Sequence, residues 1–458
     1  MASLNVVILA AGQGRRMFSN LPKVLHALAG KSLIEFVVHQ AQQLDPQKII
    51  IIHGHRGEMV QQALHHFPHL LWVEQTEQLG TGHALQQALP LIDADAQVLV
   101  LSGDVPLIQT ETLQKLQMAT ALQALGIVTA TVQDPTGLGR VIRNDDHTIK
   151  HIVEQRDASL QQLALHEIYS GIMLVNAQHL RGWLPQLTND NAQQEYYLTQ
   201  LIDLAVQDGV AIRSVQPQFE QEIYGVNTRS QLIALERFYQ NRQAEYWLSQ
   251  GVTIVDPQRF DVRGELQCGA DVTIDINTVF IGDVRLGNNC EIGPNCVLHD
   301  VTLADNVVVK ANSLLEQATV GSHCIVGPFA RLRPGTQLME HVHIGNFVEV
   351  KQSTIGEGSK VNHLSYIGDA TIGQAVNVGA GVITCNYDGI NKHQTYIDDH
   401  AFIGSGVQLV APVTVEQSAT IGAGSTIRDN APADQLTLSG TKQQTLSGWR
   451  RSLVKKGD

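Results

Sequence analysis

The chain has 458 residues and a formal net charge of −13, and this length favours two or three domains at roughly 100–200 residues each. The negative charge argues against nucleic acid and anionic membranes as partners. No apolar run approaches the roughly 20 residues of a membrane helix, so we expect a cytoplasmic protein without membrane insertion. The five cysteines include no CxxC pair, which argues against a disulfide framework and a zinc site.

Short aliphatic strands alternate with helical periods through residues 5–225. The strand-like segments VVILA (6–10), KIIIIHG (48–54) and QVLVLSGD (97–104) are separated by helical stretches such as LIEFVVHQAQQL (33–44). This alternation predicts an α/β domain of the Rossmann-like kind, with crossover helices and a binding edge at the carboxyl ends of the strands.

The first strand leads into the string LAAGQGRRM, followed by a Pro-Lys pair that ends at Lys23. The string is not a dinucleotide fingerprint, because Met17 stands where the third glycine would be, and it is not a Walker motif. The amide of Gly12 can approach a phosphate closely, and Arg16 and Lys23 can neutralise one. With its AAGxGxRM pattern and Pro-Lys pair, the segment resembles the nucleotidyltransferases that make nucleoside-diphosphate sugars.

Further matches to that family follow along the chain. By resemblance, Gln75 and the Gly80-Thr81 pair read a uracil edge, Gly139 and Glu154 line the sugar side, and Tyr169 stands where the family pattern has asparagine. The full set implied for UDP-N-acetylglucosamine is Leu9, Ala10, Ala11, Gly12, Arg16, Lys23, Gln75, Gly80, Thr81, Ser102, Gly103, Asp104, Gly139, Glu154, Tyr169 and Asn227.

The resemblance also implies a magnesium site and a reaction. Asp104 and Asn227 would hold Mg²⁺, which takes few oxygen ligands from a protein and the rest from water and phosphates. The reaction is an in-line attack by a sugar 1-phosphate oxygen on the α-phosphorus of UTP, with pyrophosphate leaving. Positioning and charge neutralisation by Lys23, Arg16 and the metal would supply most of the rate.

A six-residue period dominates the second half of the chain. Residues 230–250 have apolar side chains at helical spacing and predict a connecting helix that ends before Gly251. Beyond it, aliphatic residues recur six apart, and three sixes close one 18-residue coil of a parallel β-helix. The clearest runs are Val326, Leu332, Leu338, Ile344 and Val350, and then Leu409, Val415, Ile421 and Ile427.

The repeat predicts two outward features. Because Leu332 and Val350 point inward 18 residues apart, Arg333 and Lys351 should stack outward about 4.8 Å apart. Two such cations repel by roughly 4 kcal/mol at an effective dielectric of 20, so the stack indicates a bound anion such as a phosphate. The alternative is a solvated face screened by Glu349.

The register breaks once, between Val378 and Ile403. The segment TCNYDGINKHQTYIDDH does not fit the sixes, and a loop expelled from a solenoid usually lies on its binding face.

With KVNHLSYIGDA (360–370) and CNYDG (385–389), the whole chain resembles the bacterial enzymes that join N-acetylglucosamine-1-phosphate uridylyltransferase and glucosamine-1-phosphate N-acetyltransferase activities. The resemblance implies that His363 is the general base, since a histidine can take a proton from an amine at neutral pH. It implies a glucosamine 1-phosphate site of Arg333, Lys351, Tyr366 and Asn377. It implies an acetyl-CoA site between subunits, formed by Ala380, Asn386, Tyr387, Ser405, Ala423 and Gly440.

One position departs from the family. Gly440 stands where the family has an arginine that binds coenzyme A, and Lys442 or Arg428 are the candidates to replace it.

The resemblance implies a uridylyltransferase domain at 1–229, a linker helix at 230–250 and an acetyltransferase domain, a left-handed parallel β-helix, at 251–458. It further implies a homotrimer that uses acetyl-CoA and UTP to make UDP-N-acetylglucosamine for cell-wall and lipopolysaccharide precursors. One alternative is a sugar-nucleotide pyrophosphorylase with a passive β-helix, which would need neither His363 nor the expelled loop. The other is a non-catalytic scaffold, which would not need Asp104 and Asn227.

Overall fold

The computed structural model describes residues 3–54, 56–440, 443, 445–447 and 449. The chain forms two compact units, Met1–Gln240 and Asn241–Asp458. None of the helices in these described ranges has the length and apolar character that a membrane crossing needs.

In the described part of the first unit, nine strands form one mixed sheet. Leu4–Ala10 lies at its centre, parallel to both of its neighbours, and Glu167–Asn176 runs antiparallel beside Gln97–Ser102. The order across the sheet is Ile212–Val215, Leu125–Thr131, Glu167–Asn176, Gln97–Ser102, Leu4–Ala10, Lys48–His53 and Leu70–Glu74, with the ribbon of Gly139–Arg143 and Ile149–Val153 beside Glu167–Asn176. Ala27–Leu28 and Lys31–Ser32 form a separate hairpin.

Helices cover both faces of this sheet. Along the central strand, Val6 and Ile8 belong to one apolar cluster and Val7 to another, so alternate side chains are buried on opposite faces. The α-helices of this unit are Leu33–Gln42, Gly57–Ala63, Thr81–Ala88, Thr110–Ala119, Leu160–Leu163, Ala177–Trp183 and Gln200–Gln207. Short 3-10 helices lie at Arg15–Met17, Lys23–Leu25, Leu89–Leu91, Leu184–Gln186 and Glu220–Ile223. The predicted α/β fold is confirmed.

Local chemistry explains where the first long helix starts. The Ser32 hydroxyl accepts a hydrogen bond from the Glu35 amide, and the Glu35 carboxylate accepts one from the Ser32 amide. This capping box satisfies two backbone donors at the helix start, and the buried face that follows holds the helix on the sheet.

A helix at Arg229–Ser249 occupies the segment where the sequence predicts a connecting helix. Its Leu232 and Leu235 are buried in a cluster with Met17 and Leu28 of the first unit. Ala244, from the second unit, is buried in the long core of the β-helix.

The second unit is a parallel β-helix, as predicted. Its first face is a sheet of strands Thr253–Ile254, Thr273–Ile274, Glu291–Ile292, Val308–Val309, Ile325–Val326, His343–Asn346, Lys360–His363, Asn377–Val378, Phe402–Ile403, Thr420–Ile421 and Leu436–Thr437. A 3-10 helix at Pro257–Arg259 precedes the first strand of the other two faces.

Those two faces share one larger sheet in the described residues. Its strands are Phe260–Cys268, Thr278–Leu286, Val297–His299, Thr302–Leu303, Leu314–Glu316, Ala318–Val320, Arg331–Leu332, Thr336–Leu338, Glu349–Lys351, Thr354–Ile355, Tyr366–Gly368, Ala370–Ile372, Ile383–Cys385, Thr395–Ile397, Gln408–Val410, Val413–Val415 and Thr426–Ile427.

The ladder register follows the sequence repeat. Leu332 pairs with Val350, an offset of 18, and Ile355 pairs with Ile372, an offset of 17. Both Leu332 and Val350 are completely buried, and each such side chain contributes roughly 1.5–3 kcal/mol by leaving water. A coil can therefore close in two ways: with three six-residue segments, or with two six-residue segments and one of five residues.

The predicted break in the register is present. Ile372 pairs with Ile397, an offset of 25, because the segment 386–394 leaves the coil between two strands of the larger sheet. An isolated antiparallel bridge between Tyr387 and Lys392 folds that segment back on itself. We call 386–394 the expelled loop.

Candidate active sites

The carboxyl ends of the parallel strands in the first unit form a cavity of about 580 Å³. The predicted nucleotide residues that line it are Leu9, Ala10, Ala11, Gly12, Lys23, Gln75, Gly80, Thr81, Ser102 and Asp104. A second cavity of about 580 Å³ shares Ser102 and Asp104 with the first and is also lined by Arg16 and Asn227. The sheet thus gathers residues from most of the unit at one edge.

Lys23 lies between the two predicted metal ligands. Its ammonium forms an ion pair with Asp104 and lies 3.1 Å from the Asn227 side-chain oxygen. These two oxygens, from residues 123 positions apart, therefore converge on one cation. Gly14 makes this approach possible, because a side-chain carbon there would lie 2.6 Å from the Lys23 Cβ. A carboxylate and an amide oxygen at one point fit a Mg²⁺ site.

Gln75 and Gly80 shape the other end of the first cavity. The Gln75 amide nitrogen donates to the Gly80 carbonyl at 3.1 Å and lies 3.0 Å from a ring nitrogen of His83. The side-chain oxygen of Gln75 can then accept a hydrogen bond from a ligand. Gly80 has φ of 112°, and a Cβ there would lie 2.7 Å from the Tyr196 carbonyl, so only glycine fits this turn.

Glu154, which is half-buried, and Tyr169, which is buried, lie near one another and are both predicted to bind the sugar. Burial raises the pKa of the Glu154 carboxyl, and Asp157 and Glu195 raise it further, while the Thr199 hydroxyl, 3.4 Å away, lowers it. Burial and the charge of Glu154 also raise the pKa of Tyr169. The Tyr169 hydroxyl has no hydrogen-bond partner among the described residues, which costs roughly 1–3 kcal/mol. A polar ligand at this point would relieve that cost.

Arg333 and Lys351 occupy equivalent positions in successive coils, one residue after the stacked pair Leu332 and Val350. Each also has an acidic neighbour. Arg333 donates to Glu349 at 2.8 Å, and Lys351 lies 3.9 Å from Asp369. The two cations are therefore partly neutralised in the chain itself, which reduces their mutual repulsion and weakens that argument for a bound anion.

Tyr366 pairs with Glu349, and its ring reaches over the neighbouring column, which contains Lys351. A side chain at Gly368, which pairs with Lys351, would collide with the Tyr366 hydroxyl. The Tyr366 phenol therefore lies over Gly368, one coil above Lys351.

Asp369 connects that column to the expelled loop. Its carboxylate is buried and accepts a hydrogen bond from the Asn386 side chain. Within the loop, Asp388 accepts from the amides of Asn391 and Ile390 and bonds to His393, and these contacts lower its pKa to about 2. The Tyr387 ring remains exposed at the loop surface.

His363 belongs to a column at the end of the first face. The carbonyl of His363 accepts from the Gly381 amide, that of Ala380 from Gly406, and that of Ser405 from Gly424. Ala380, Ser405 and Ala423 therefore follow one another above His363 at coil spacing. The predicted base stands at the foot of a column of small side chains.

The residue that follows the His363 column in each coil occupies a corner of the β-helix, and its type differs between the coils up to His363 and those above it. In lower coils this corner carries Phe347 and Leu364 with φ of 55° and 52°, so the left-handed backbone there does not by itself require glycine. Above His363 it carries Gly381, Gly406 and Gly424, and a Cβ on Gly424 would meet none of the described atoms within 4 Å. Packing within the chain thus does not explain these glycines. They leave a strip of the surface without side chains beside the His363 column, and we call this strip the glycine groove.

Two predicted residues lie apart from these groups. Asn377 starts a first-face strand and pairs with Lys360 and Phe402, on a different face from Arg333 and Lys351. Gly440 follows the last strand and offers no side chain to a cofactor. Of its candidate replacements, Arg428 is exposed after Ile427 of the larger sheet, and Lys442 lies outside the described residues.

Three neighbours of the predicted residues were not found from the sequence. Asn346, Asp369 and Thr199 each contact a predicted site residue through a side chain. The repeat could have found the first two, because Asn346 lies one coil below His363 and Asp369 directly follows Gly368, the register partner of Lys351. Thr199 carries no such signal.

Comparisons with known proteins cover both units. A family model for the MobA-like NTP transferase domain matches residues 6–191. Two models for hexapeptide repeats, bacterial transferase hexapeptide and hexapeptide repeat of succinyl-transferase, match residues 267–300 and 394–428.

Several relatives that match over the full length carry the same name. The chain is 55% identical over 461 residues to the bifunctional protein GlmU of Legionella pneumophila, covering 100% of both chains. It is 51% identical to the proteins of that name from Nitrosospira multiformis and Idiomarina loihiensis, covering 99% of each chain in both comparisons. With this identity over its whole length, the chain belongs to the family of bifunctional GlmU proteins.

Proposed function

We propose that the chain acetylates glucosamine 1-phosphate with acetyl-CoA in its β-helical unit and transfers UMP from UTP to the product in its α/β unit. The products are UDP-N-acetylglucosamine and pyrophosphate. The observation that carries this proposal is the groove of glycine and small side chains that ends at His363. A passive β-helix would not need such a groove, and the sugar-nucleotide pyrophosphorylase alternative has no use for it.

In the α/β unit, a phosphate oxygen of N-acetylglucosamine 1-phosphate attacks the α-phosphorus of UTP, and pyrophosphate leaves. Lys23, Arg15 and Arg16, which line the two cavities, neutralise the phosphates and hold them in line. Asp104 and Asn227 would hold Mg²⁺, which supplies further positive charge to the phosphates when bound. Gln75 accepts a hydrogen bond from the uracil, and Glu154 and Tyr169 bind the sugar.

In the β-helical unit, the amine of glucosamine 1-phosphate attacks the thioester carbonyl of acetyl-CoA. His363 takes the proton that the amine sheds, and the coenzyme A thiolate leaves. Arg333 and Lys351 hold the sugar phosphate, with Tyr366 beside them, and the bound phosphate competes with Glu349 and Asp369 for these cations. The pantetheine arm lies in the glycine groove, along Ala380, Ser405 and Ala423.

We propose that the active form is a homotrimer. Asn377 lies on a different face of the β-helix from Arg333 and Lys351, so a neighbouring copy is needed to complete one site from all four sugar-binding residues. We also propose a cytoplasmic location, where UTP and acetyl-CoA are found and where free cysteines such as the five here persist.

Two substitutions, each assayed in both half-reactions, test the proposal. His363→Ala should lower acetyl transfer by about 10²–10⁴-fold, the usual contribution of a general base, and leave uridylyl transfer unchanged. Asp104→Ala should do the reverse. Release of coenzyme A thiol and release of pyrophosphate report the two reactions separately.

The outcomes separate the alternatives. Acetyl transfer at the wild-type rate in His363→Ala would remove that residue as the base. Loss of both activities in either variant would indicate misfolding. A fully active monomer in light scattering would contradict the trimer.

A further inference from the structure

Asn346 is the side chain directly below His363 in the column at the end of the first face. Its Oδ1 lies 2.8 Å from the His363 Nδ1, and its carbonyl accepts the Leu364 amide at 3.0 Å. Asn346 and His363 are also register partners in the parallel ladder. Asn346 therefore contacts the His363 ring through its side chain and the backbone next to His363 through its carbonyl.

The strands that carry Asn346 and His363 are longer than the other strands of the first face. In the described residues, first-face strands are two residues long in every coil except His343–Asn346 and Lys360–His363, which extend to four. The extension reaches just far enough to pair Asn346 with His363. Gly345 permits it, because a side chain there would collide with the carbonyl of Asn362.

An asparagine ladder does not explain Asn346. The equivalent positions in the two coils below and the two coils above this pair are Ala311, Pro328, Ala380 and Ser405, and none of these is an amide side chain. The only amide in this part of the column thus lies beneath the only imidazole.

The chemistry of the contact selects one form of the ring. An amide oxygen only accepts hydrogen bonds, so its contact with His363 Nδ1 is a hydrogen bond only in the form of the ring that carries the hydrogen on Nδ1. In the neutral ring, the lone pair is then on Nε2, on an exposed side chain. A base needs its lone pair on the nitrogen that faces the substrate.

We infer that Asn346 is a positioning residue that holds His363 in the tautomer whose Nε2 removes the amine proton during acetyl transfer. This inference rests on the proposed function of His363. Asn346 touches neither substrate and acts only through the orientation and tautomer of the ring.

Kinetics of Asn346 variants of the full-length protein test the inference. Asn346→Ala should lower kcat for acetyl transfer by about 10–100-fold, as loss of a partner that orients a functional histidine does, with the KM of both substrates changed less than about twofold. Asn346→Asp keeps an acceptor at the same place and should retain most of the activity. Uridylyl transfer should be unchanged in both variants.

A double variant separates positioning from structure. In a His363→Ala background, Asn346→Ala should cause no further loss, because the two residues act as one unit. Asn306→Ala is the matched control, since it removes an exposed ladder amide that bonds Asn289 at 3.3 Å and lies far along the chain from the site. This variant should keep wild-type kinetics in both reactions.

Other results would overturn the inference. Equal loss in Asn346→Asp and Asn346→Ala, a raised KM at unchanged kcat, or a further loss in the His363→Ala background would each assign Asn346 a different role. Full acetyl transfer in His363→Ala alone would instead contradict the proposed function, so the two failures are distinguishable.

Discussion

In the β-helical unit, neighbouring site residues come from equivalent positions of successive coils, 17 or 18 residues apart, such as Asn346 and His363. In the α/β unit, Lys23 meets Asp104 and Asn227 across 81 and 204 residues of chain. The first kind of site can be extended by counting along the sequence. The second depends on the order of strands in a sheet, which the sequence does not state.

The two units also differ in what a substitution disturbs. A change on the outer surface of a coil meets only the coils above and below, because each coil contacts its neighbours. A change at the sheet edge of the α/β unit meets side chains from several elements at once. Effects of substitutions in the β-helix should therefore be local to one ligand, whereas those in the α/β unit should combine binding and stability.

The largest expected effect in this comparison is at Arg333 and Lys351, which form a column of two cations in successive coils. Lys351→Met should raise the KM for glucosamine 1-phosphate by about 10–100-fold, since a hydrogen bond to a charged group contributes roughly 1.5–3 kcal/mol. The KM for acetyl-CoA should not change. Lys310→Met, an exposed lysine on the first face, is the control and should leave both values unchanged. If both variants raised the KM for glucosamine 1-phosphate equally, the overall positive charge of the surface, and not Lys351 in particular, would bind the phosphate.

A substitution in the glycine groove should have an intermediate effect. Phe347 shows that this corner accepts a phenylalanine with positive φ, so Gly406→Phe should fold while filling the groove. We expect the KM for acetyl-CoA to rise about tenfold, which corresponds to roughly 1.4 kcal/mol, with the KM for glucosamine 1-phosphate unchanged. Asn312→Phe, at the same corner in a lower coil, is the matched control. An unchanged KM for acetyl-CoA would show that the cofactor does not lie in this groove.

The smallest expected effect is on stability in the α/β unit. Because burial raises the pKa of Glu154 in the folded chain above its ordinary value of 4.5, the folded state holds that proton more tightly than the unfolded state. Stability therefore falls as pH rises from about 4.5 through the raised pKa. Glu154→Gln removes this cost and should raise the free energy of unfolding of the unit by about 1 kcal/mol at pH 7.

Urea unfolding at several pH values checks this expectation. The gain in Glu154→Gln should disappear as the pH falls below about 4.5, where the wild-type carboxyl is protonated in both states. Uridylyl transfer should weaken at the same time, because the amide is a poorer acceptor for a sugar hydroxyl. A variant that is less stable than wild type at pH 7 would contradict the assignment of Glu154 as a half-buried carboxylate whose charge costs stability.

The sequence by itself determined the β-helix, its register and the expelled loop, since a repeat of six fixes which residues point inward and which stack. It also determined the family, because motifs such as LAAGQGRRM and KVNHLSYIGDA are specific. The resemblance supplied the names of the site residues, whose roles stay predictions.

Only the tertiary structure decided which side chains meet. It brought Asp104 and Asn227 to the Lys23 ammonium, gave Arg333 and Lys351 acidic neighbours, and buried the Tyr169 hydroxyl without a hydrogen-bond partner among the described residues. The reason is physical: a repeat specifies neighbours along one axis, whereas hydrogen bonds and burial between distant elements depend on how the sheet orders its strands and how loops close over its edge. The contact between Asn346 and His363 depends on both the repeat and the tertiary structure. The repeat places the two residues one coil apart, and the tertiary structure shows which of their atoms are in contact.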